Sequence, residues 1–202
     1  MIRHLFGTTV LLCLALTFVN LKGATNSHKP LTGFQAEAIA AAVAVGEVKK
    51  QLIEIEGPRS ETELTPDVWK FVFWDPTAKQ NGRLITVTHG AVNEIRDGFF
   101  ELDKARILAY KQDEIIPHDL LKIDSDKALD IVLKSSQLQG VSLSSVTFSL
   151  SRDKDLSQIV WKIEILADNG GKESDIGYAR ISAVTGGIIE MKVDLGKLKK
   201  KP

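Results

Sequence analysis

The sequence predicts an α+β protein of two similar halves, each a helix followed by antiparallel strands. A strand that begins with Trp and Lys occurs twice, at 69–73 and at 161–165, and each time a polar loop and a second strand with a Gly-marked turn follow. A segment with helix-capping residues precedes each copy. Pleat and turn residues repeat here without a reacting group, so the pattern indicates architecture and not activity.

Residues 1–24 have the pattern of a secretory signal peptide. A short basic start precedes the run 5–19, which is apolar apart from one Gly and three Thr. The run is short for a membrane span, which needs about 20 apolar residues. We expect cleavage near Gly23 or Ala24. Because Lys22 is a poor residue three positions before such a cut, the exact site stays open, and an uncleaved anchor is the alternative.

The number and position of cysteines limit the cellular compartment and the kinds of reactive or metal site that we expect. Cys13 is the only cysteine; it lies inside the apolar run, and the residues before it lack the small side chains of a lipoprotein signal. The chain after cleavage would therefore have no disulfide, no thiolate metal site and no cysteine nucleophile. For an exported protein, this favours a bacterial periplasm or cell surface, or the extracellular space.

Charge and length set further limits. Loss of Arg3 and Lys22 with the signal leaves 24 basic and 26 acidic residues, a net charge of −2. Such a chain exerts no strong field on a polyanion, so we expect no nucleic-acid partner. The predicted organisation is a signal peptide, a first helix-plus-sheet unit, a connecting segment, a second unit and a basic tail, at 1–24, 25–98, 99–123, 124–195 and 196–202.

The first half opens with a readable helix start. Thr32 is a good N-cap, and Gln35 completes a capping box. An apolar stripe follows at spacings of four and three residues, which predicts a helix of about five turns, ended by Gly57-Pro58. A helix laid across a sheet explains this stripe, and a short coiled-coil seam is the alternative. The stripe comprises Phe34, Ala38, Ala41, Val45, Val48, Leu52 and Ile55.

Strands follow this helix. Residues 68–74 alternate and predict a strand with Trp69 on its inner face; 75–82 is a hairpin loop, and 83–88 returns as a second strand. Turns at His89-Gly90 and Asp97-Gly98 extend the meander. Residues 99–123 would finish the first sheet and cross to the second half.

The second half repeats this order. Asp124 or Ser125 caps a helix whose apolar face includes Ala128 and Val132. Alternation places Trp161 on the core face of its strand, so both repeated tryptophans are predicted core anchors. Four strands are predicted after the helix, at 142–151, 158–167, 176–184 and 188–193.

Three segments of the second half, 124–129, 161–165 and 179–189, resemble a PepSY-type domain. They correspond to its capped helix with an Ala, its Trp-led strand and its strand ending in a Thr-Gly turn. The resemblance covers 123–193 most clearly and extends faintly to 32–97. Ala183 stands where the family usually has Asp, and Gly187 where it has Glu, so any role of those acids is absent.

The resemblance implies two tandem cystatin-like units in an exported protein, each a helix packed on a curved antiparallel sheet. A peptidase-inhibitory or protein-binding role has been proposed for such domains, and their motif contains no catalytic residue. A peptidase or an envelope protein is therefore the expected partner, with no stable membrane span after signal removal.

The search for chemistry among the residues finds no site. His28, His89 and His118 have no metal-ligand spacing and are interpreted as loop residues. The chain has no nucleophile elbow and no phosphate-binding loop. Acidic residues at 153–155 and 168–173 do not match a calcium loop and are interpreted as turn residues. We therefore predict no catalytic residue, no cofactor and no metal site, and hence no enzyme.

Four residues are the predicted candidates for exposed binding. Trp74 breaks the alternation of its strand, and Lys199, Lys200 and Lys201 form a basic run in the tail. That run is either a solvated terminus or a contact for acidic envelope polymers or lipid headgroups. The resulting hypothesis is a non-enzymatic, exported protein-binding module. The alternatives are a small-ligand-binding or hydrolytic site in the hollow between helix and sheet, and a structural surface protein attached by its tail.

Overall fold

A computed structural model describes residues 29–98 and 109–198. The predicted signal peptide and the three tail lysines lie outside these residues. The described chain is α+β, with short 3-10 helices between its main elements. In chain order these are α1 (Gly33–Val43), β1 (Leu52–Gly57), β2 (Val68–Trp74), β3 (Gly82–Thr88), β4 (Ala91–Asp97), α2 (Ser125–Leu133), β5 (Leu143–Asp153), β6 (Gln158–Asp168), β7 (Glu173–Ser182) and β8 (Ile188–Val193).

All eight strands belong to one antiparallel sheet, in the order β4-β3-β2-β1-β5-β6-β7-β8. Each half contributes a meander, and the two meanders meet where β1 pairs with β5. There Ile55 lies opposite Leu150, and Glu56 lies opposite Ser149. The first strands of the two halves thus make the sheet continuous, and among residues 29–98 and 109–198 its edge strands are β4 and β8.

The two helices meet at their N-termini. Thr32 and Gln35 form the predicted capping box of α1, and Asp124 is the N-cap of α2. Asp124 Oδ1 also accepts the Phe34 backbone N–H at 2.9 Å, and Ser125 Oγ accepts the Gly33 N–H at 2.8 Å. Residues at the start of α2 therefore satisfy backbone donors that the first turn of α1 leaves unpaired.

The prediction of a five-turn first helix is wrong. The helix α1 ends at Val43, Gly46 follows with a positive φ of 60°, and Leu52–Gly57 forms β1. The buried face of α1 also differs from the predicted stripe, since Ala36 and Ala40 are buried while Ala38 is exposed. Nearly every residue from Ala36 to Val45 is apolar, so periodicity could not identify the face that packs.

A single buried cluster extends through both halves between the helices and the sheet. Trp69 and Trp161 are 1% and 0% exposed, which confirms them as core anchors. Phe148 lies between them, with ring centroids 5.8 Å from Trp69 and 6.2 Å from Trp161. Aromatic rings from both halves therefore pack in one core.

Each tryptophan is also held by the same kind of hydrogen bond. Trp69 Nε1 donates to the carbonyl of Leu31 at 3.0 Å, and Trp161 Nε1 donates to the carbonyl of Ile123 at 2.8 Å. Donor and acceptor are separated by 38 residues in both halves, and each acceptor directly precedes a helix N-cap. Both buried indole N–H groups are thus satisfied.

Within the described chain, none of the helices has the length and apolar character needed to cross a bilayer.

Candidate binding surfaces

The sheet has an inner face, packed against the helices, and an outer face that differs between the halves. In the first half one part of the outer face is apolar, with Ile53, Val72 and Leu84 buried beneath Tyr110 of the connecting segment. Gly82 makes this possible, because a Cβ there would lie 2.7 Å from the Tyr110 ring. Tyr110 therefore covers this apolar part of the outer face.

The outer face of the second half has a polar surface. Its outward side chains belong to neither buried cluster of the described residues, and Lys162, Glu164 and Lys192 have exposed fractions of 43%, 50% and 66%. We call this surface the open sheet face. It comprises Thr147, Ser149, Ser151, Lys162, Glu164, Tyr178, Arg180, Glu190 and Lys192.

One row of polar side chains crosses all eight strands on this side of the sheet. Each member lies opposite the next in the strand register, so the row is continuous from one edge to the other. Neighbours in such a register are close enough to interact directly. From β4 to β8 the row is Glu94, Thr86, Lys70, Glu56, Ser149, Lys162, Arg180 and Glu190.

Glu190 organises the β8 end of this row. Its Oε2 accepts the Tyr178 hydroxyl at 3.1 Å and Arg180 Nη1 at 3.4 Å, and its Oε1 accepts Lys192 Nζ at 2.6 Å. The hydrogen bond from Lys192, aided by those from Tyr178 and Arg180, outweighs desolvation and lowers the pKa of Glu190. The same bond raises the pKa of Lys192. At neutral pH both groups are therefore charged.

Tyr178 is held on the open sheet face from two sides. Lys162 Nζ and Lys192 Nζ lie 5.4 Å and 5.8 Å from its ring centroid, within the range of cation–π attraction. Arg180 also forms an ion pair with Asp153. These contacts hold the Tyr178 and Arg180 side chains in place on the open sheet face.

Two shallow depressions share this face. One, of about 340 Å³, lies over Lys70, Thr147 and Glu164. The other, of about 290 Å³, lies over Ser151, Tyr178 and Arg180, and both include Ser149 and Lys162. Their breadth suits a protein surface better than an enclosed small molecule, because small-ligand sites bury most of the ligand.

Trp74, the aromatic residue predicted as exposed, is half-buried at one end of β2. It lines an apolar depression of about 480 Å³ with Val45, Val48 and Pro76. Trp74 Nε1 has no hydrogen-bond partner among the described residues, and Gln51 Oε1 on the same wall has none either. Its role in binding stays a prediction, as does that of Lys199, Lys200 and Lys201, which lie outside the described residues.

Asp75 holds the rim of this Trp74 depression. It is 4% exposed, accepts the Thr77 hydroxyl at 2.6 Å and pairs with Arg83 at 3.0 Å. Burial raises the pKa of its carboxyl, but the hydrogen bonds from Thr77 and the Arg83 charge outweigh burial, so the pKa lies below its ordinary value of 3.8.

The described residues include two histidines, His89 and His118. His89 occupies the turn between β3 and β4, with φ of 49°. His118 is not simply a solvated loop residue, because its Nε2 lies 3.2 Å from Oε2 of Glu37, a buried residue of α1. Over the ranges 29–98 and 109–198, no three His, Cys, Asp or Glu side chains gather as a metal site would require.

Sequence reasoning proposed Trp74 as an exposed binding residue and did not single out the open sheet face as a site. The available signal was alternation, since Ser145, Thr147, Ser149 and Ser151 occupy every second position of β5. Such a pattern marks the side of a strand that faces away from the core. It could not indicate whether another segment covers that side.

Comparison of the chain with protein-family models, curated proteins and solved structures found no match.

Proposed function

We propose that this protein is an exported, non-enzymatic binding module whose protein partner contacts the open sheet face. The observation that carries the proposal is the fixed pair Tyr178 and Arg180, held by Glu190 beside exposed Lys162. Tyr and Arg are enriched among residues that dominate protein–protein affinity. A rigid sheet presents them without the cost of ordering a loop.

The class of partner comes from the PepSY resemblance. We propose a peptidase or an envelope protein, reached through export by residues 1–24 into the periplasm or the extracellular space. On this account the two halves are tandem cystatin-like units. The equal separation of 38 residues between each tryptophan and its carbonyl acceptor supports that view. No cofactor is required for such a role.

Small-ligand binding is the second candidate, and the Trp74 depression favours it. Trp74 Nε1 is a buried donor without a partner in the described chain, and it lies beside the apolar side chains of Val45, Val48 and Pro76. The hollow between the helices and the sheet is a less suitable ligand site, because buried side chains such as Phe148 and Trp161 fill it. Trp74→Phe removes the donor and keeps an aromatic ring, so a ligand that depends on the donor should lose affinity in this variant.

A site-specific photo-crosslinker tests the main proposal. It replaces Tyr178 on the open sheet face in one variant and Lys127, exposed on α2, in the control. We expect a discrete adduct with one protein in the exported fraction from position 178 and none from position 127. Equal labelling from both positions, or no protein adduct from position 178, would contradict binding through this face.

The identified partner then permits an affinity measurement. Lys162→Glu on the open sheet face should weaken binding at least about tenfold, whereas Lys127→Glu should leave it unchanged, because only the first charge would lie in the interface. If the partner is a peptidase, inhibition of its activity should fall in parallel with binding. Equal loss in both variants would indicate a general charge effect and refute the assignment of this face.

A further inference from the structure

The sheet edge at β8 carries a pattern that is complementary to itself. Ile188–Val193 pairs with β7 on one side, and on the other side no strand of the described chain pairs with it. Glu190 and Lys192 point to the outer face, and Met191 between them points to the inner face. Opposite charges thus stand two residues apart on one edge.

The backbone of β8 presents free hydrogen-bonding groups along this edge. Just beyond β8, Asp194 N–H donates to the Ile176 carbonyl of β7 at 2.7 Å. Asp194 and Ile176 therefore form a hydrogen-bonded pair in the ladder between β8 and β7. Hydrogen-bonded pairs alternate along an antiparallel ladder. The N–H and C=O groups of Ile189, Met191 and Val193 therefore point away from β7, toward the free edge.

We propose that β8 pairs with β8 of a second copy of this chain, antiparallel and centred on Met191. In that register Glu190 of each copy lies opposite Lys192 of the other on the outer face. The inner face brings Ile189 opposite Val193 and Met191 opposite Met191. The two sheets then continue into one another around a two-fold axis, and each interface residue meets a compatible partner.

Other registers are less favourable. If one strand slid by one residue along the other, charged side chains would lie opposite apolar ones. A shift by two would place Glu190 opposite Glu190, or Lys192 opposite Lys192, and like charges repel. Charged residues on an edge strand usually oppose pairing for this reason. Here their order permits one register and disfavours its neighbours.

The opposite edge supports this choice of strand. Glu94 and Arg96 of β4 have the same spacing of opposite charges, with 3.6 Å between Glu94 Oε1 and Arg96 Nε. The inner face of β4, however, carries Asp97 next to Ile95, and Asp97 forms an ion pair with Arg83. Pairing of β4 with itself would bring this acid to the apolar side of the junction, which β8 avoids.

Charge reversal with mixing tests the proposal. The protein, purified as the cell produces it, is followed by sedimentation velocity from roughly 1 µM to roughly 1 mM, the range in which a small interface associates. We expect a monomer–dimer equilibrium. Glu190→Lys and Lys192→Glu should each shift it toward monomer by at least about tenfold in Kd, because like charges then meet. The matched control Glu94→Lys on β4 should leave it unchanged.

The mixture of the two β8 variants gives the decisive result. Glu190→Lys places lysines at both positions and Lys192→Glu places glutamates at both, so the two variants are complementary to each other. An equimolar mixture should form a heterodimer, even if one variant has lost some stability. A monomer throughout the range, a dimer indifferent to both changes, a mixture that stays monomeric, or growth beyond a dimer by β8-to-β4 pairing would each overturn the proposal.

Discussion

The two halves have similar packing on the inner side of the sheet and differ on its outer side. Both hold a buried tryptophan by a hydrogen bond to a carbonyl before a helix N-cap. In the first half Tyr110 covers an apolar part of the outer face, while the second half presents Tyr178 among charged side chains. The two halves are therefore built alike on the inner side of the sheet and differ on its outer side.

The shared core gives the largest expected effect. Trp161→Ala and Trp69→Ala should each lower the free energy of unfolding by about 3–5 kcal/mol, because each leaves a large cavity beside Phe148. Urea unfolding followed by circular dichroism would measure this. Since one core serves both halves, each variant should shift a single transition. Two transitions, with each variant moving only one, would mean that the halves fold independently.

The cover of the first half gives the next effect. Tyr110→Ala should cost about 2–4 kcal/mol, since the ring is 2% exposed and packs on Ile53, Val72 and Leu84. Tyr178→Ala is the matched control and should cost less than Tyr110→Ala, because the Tyr178 ring is only half-buried on the open sheet face. Similar losses in the two variants, measured by urea unfolding, would erase the distinction between the outer faces.

Gly82 tests how closely this cover approaches the sheet. Gly82→Ala places a Cβ 2.7 Å from the Tyr110 ring, so the ring must shift, at a cost of about 1–3 kcal/mol. Gly187→Ala is the control, because its Cβ would meet only the Thr185 hydroxyl, at 3.4 Å. Thermal unfolding compares the two variants. An unchanged melting temperature for Gly82→Ala would argue against the described position of Tyr110.

Acidic residues of the two halves differ in burial, and pH separates them. The pKa of Asp75 is lowered in the folded state, so its contribution to stability is present above pH 3.8 and is lost as the pH falls through the folded value. Asp75→Asn should cost about 1–2 kcal/mol at pH 7 and progressively less in acid. Glu190→Gln should show the same direction with a smaller loss, since Glu190 is only half-buried on the open sheet face and solvent screens its charge. If the difference in unfolding free energy between Asp75→Asn and the unaltered protein stayed constant from pH 7 into acid, this role of Asp75 would be contradicted.

Local patterns in the sequence predicted much of the inner construction. Alternation correctly placed Trp69 and Trp161 in the core, and Thr32 caps α1 as expected. Of the two predicted caps of α2, Asp124 and Ser125, the structure has Asp124. The α+β class follows from these elements. The strand β1 was missed because Leu52 and Ile55 also continue a helical spacing, although the alternation Ile53-Glu54-Ile55-Glu56 carried the strand signal.

Features that depend on distant segments could not be predicted in the same way. The pairing of β1 with β5 joins Ile55 to Leu150, and no local pattern encodes which strands meet at the centre of a sheet. The cover over the first half depends on the path of the chain between Tyr110 and Ile116. Alternation indicates which side chains face outward, but only the path of the chain decides which of them remain open.

Tyrosine-selective labelling of the native protein tests the difference between the outer faces most directly. Tyr110 and Tyr178 are the only two tyrosines of the chain, and one lies on each outer face. Limited nitration followed by peptide mass spectrometry should modify Tyr178 first and leave Tyr110 protected until the protein unfolds, when both should react. Equal reaction of the two tyrosines in the native state, or faster reaction of Tyr110, would contradict the account of one covered and one open sheet face.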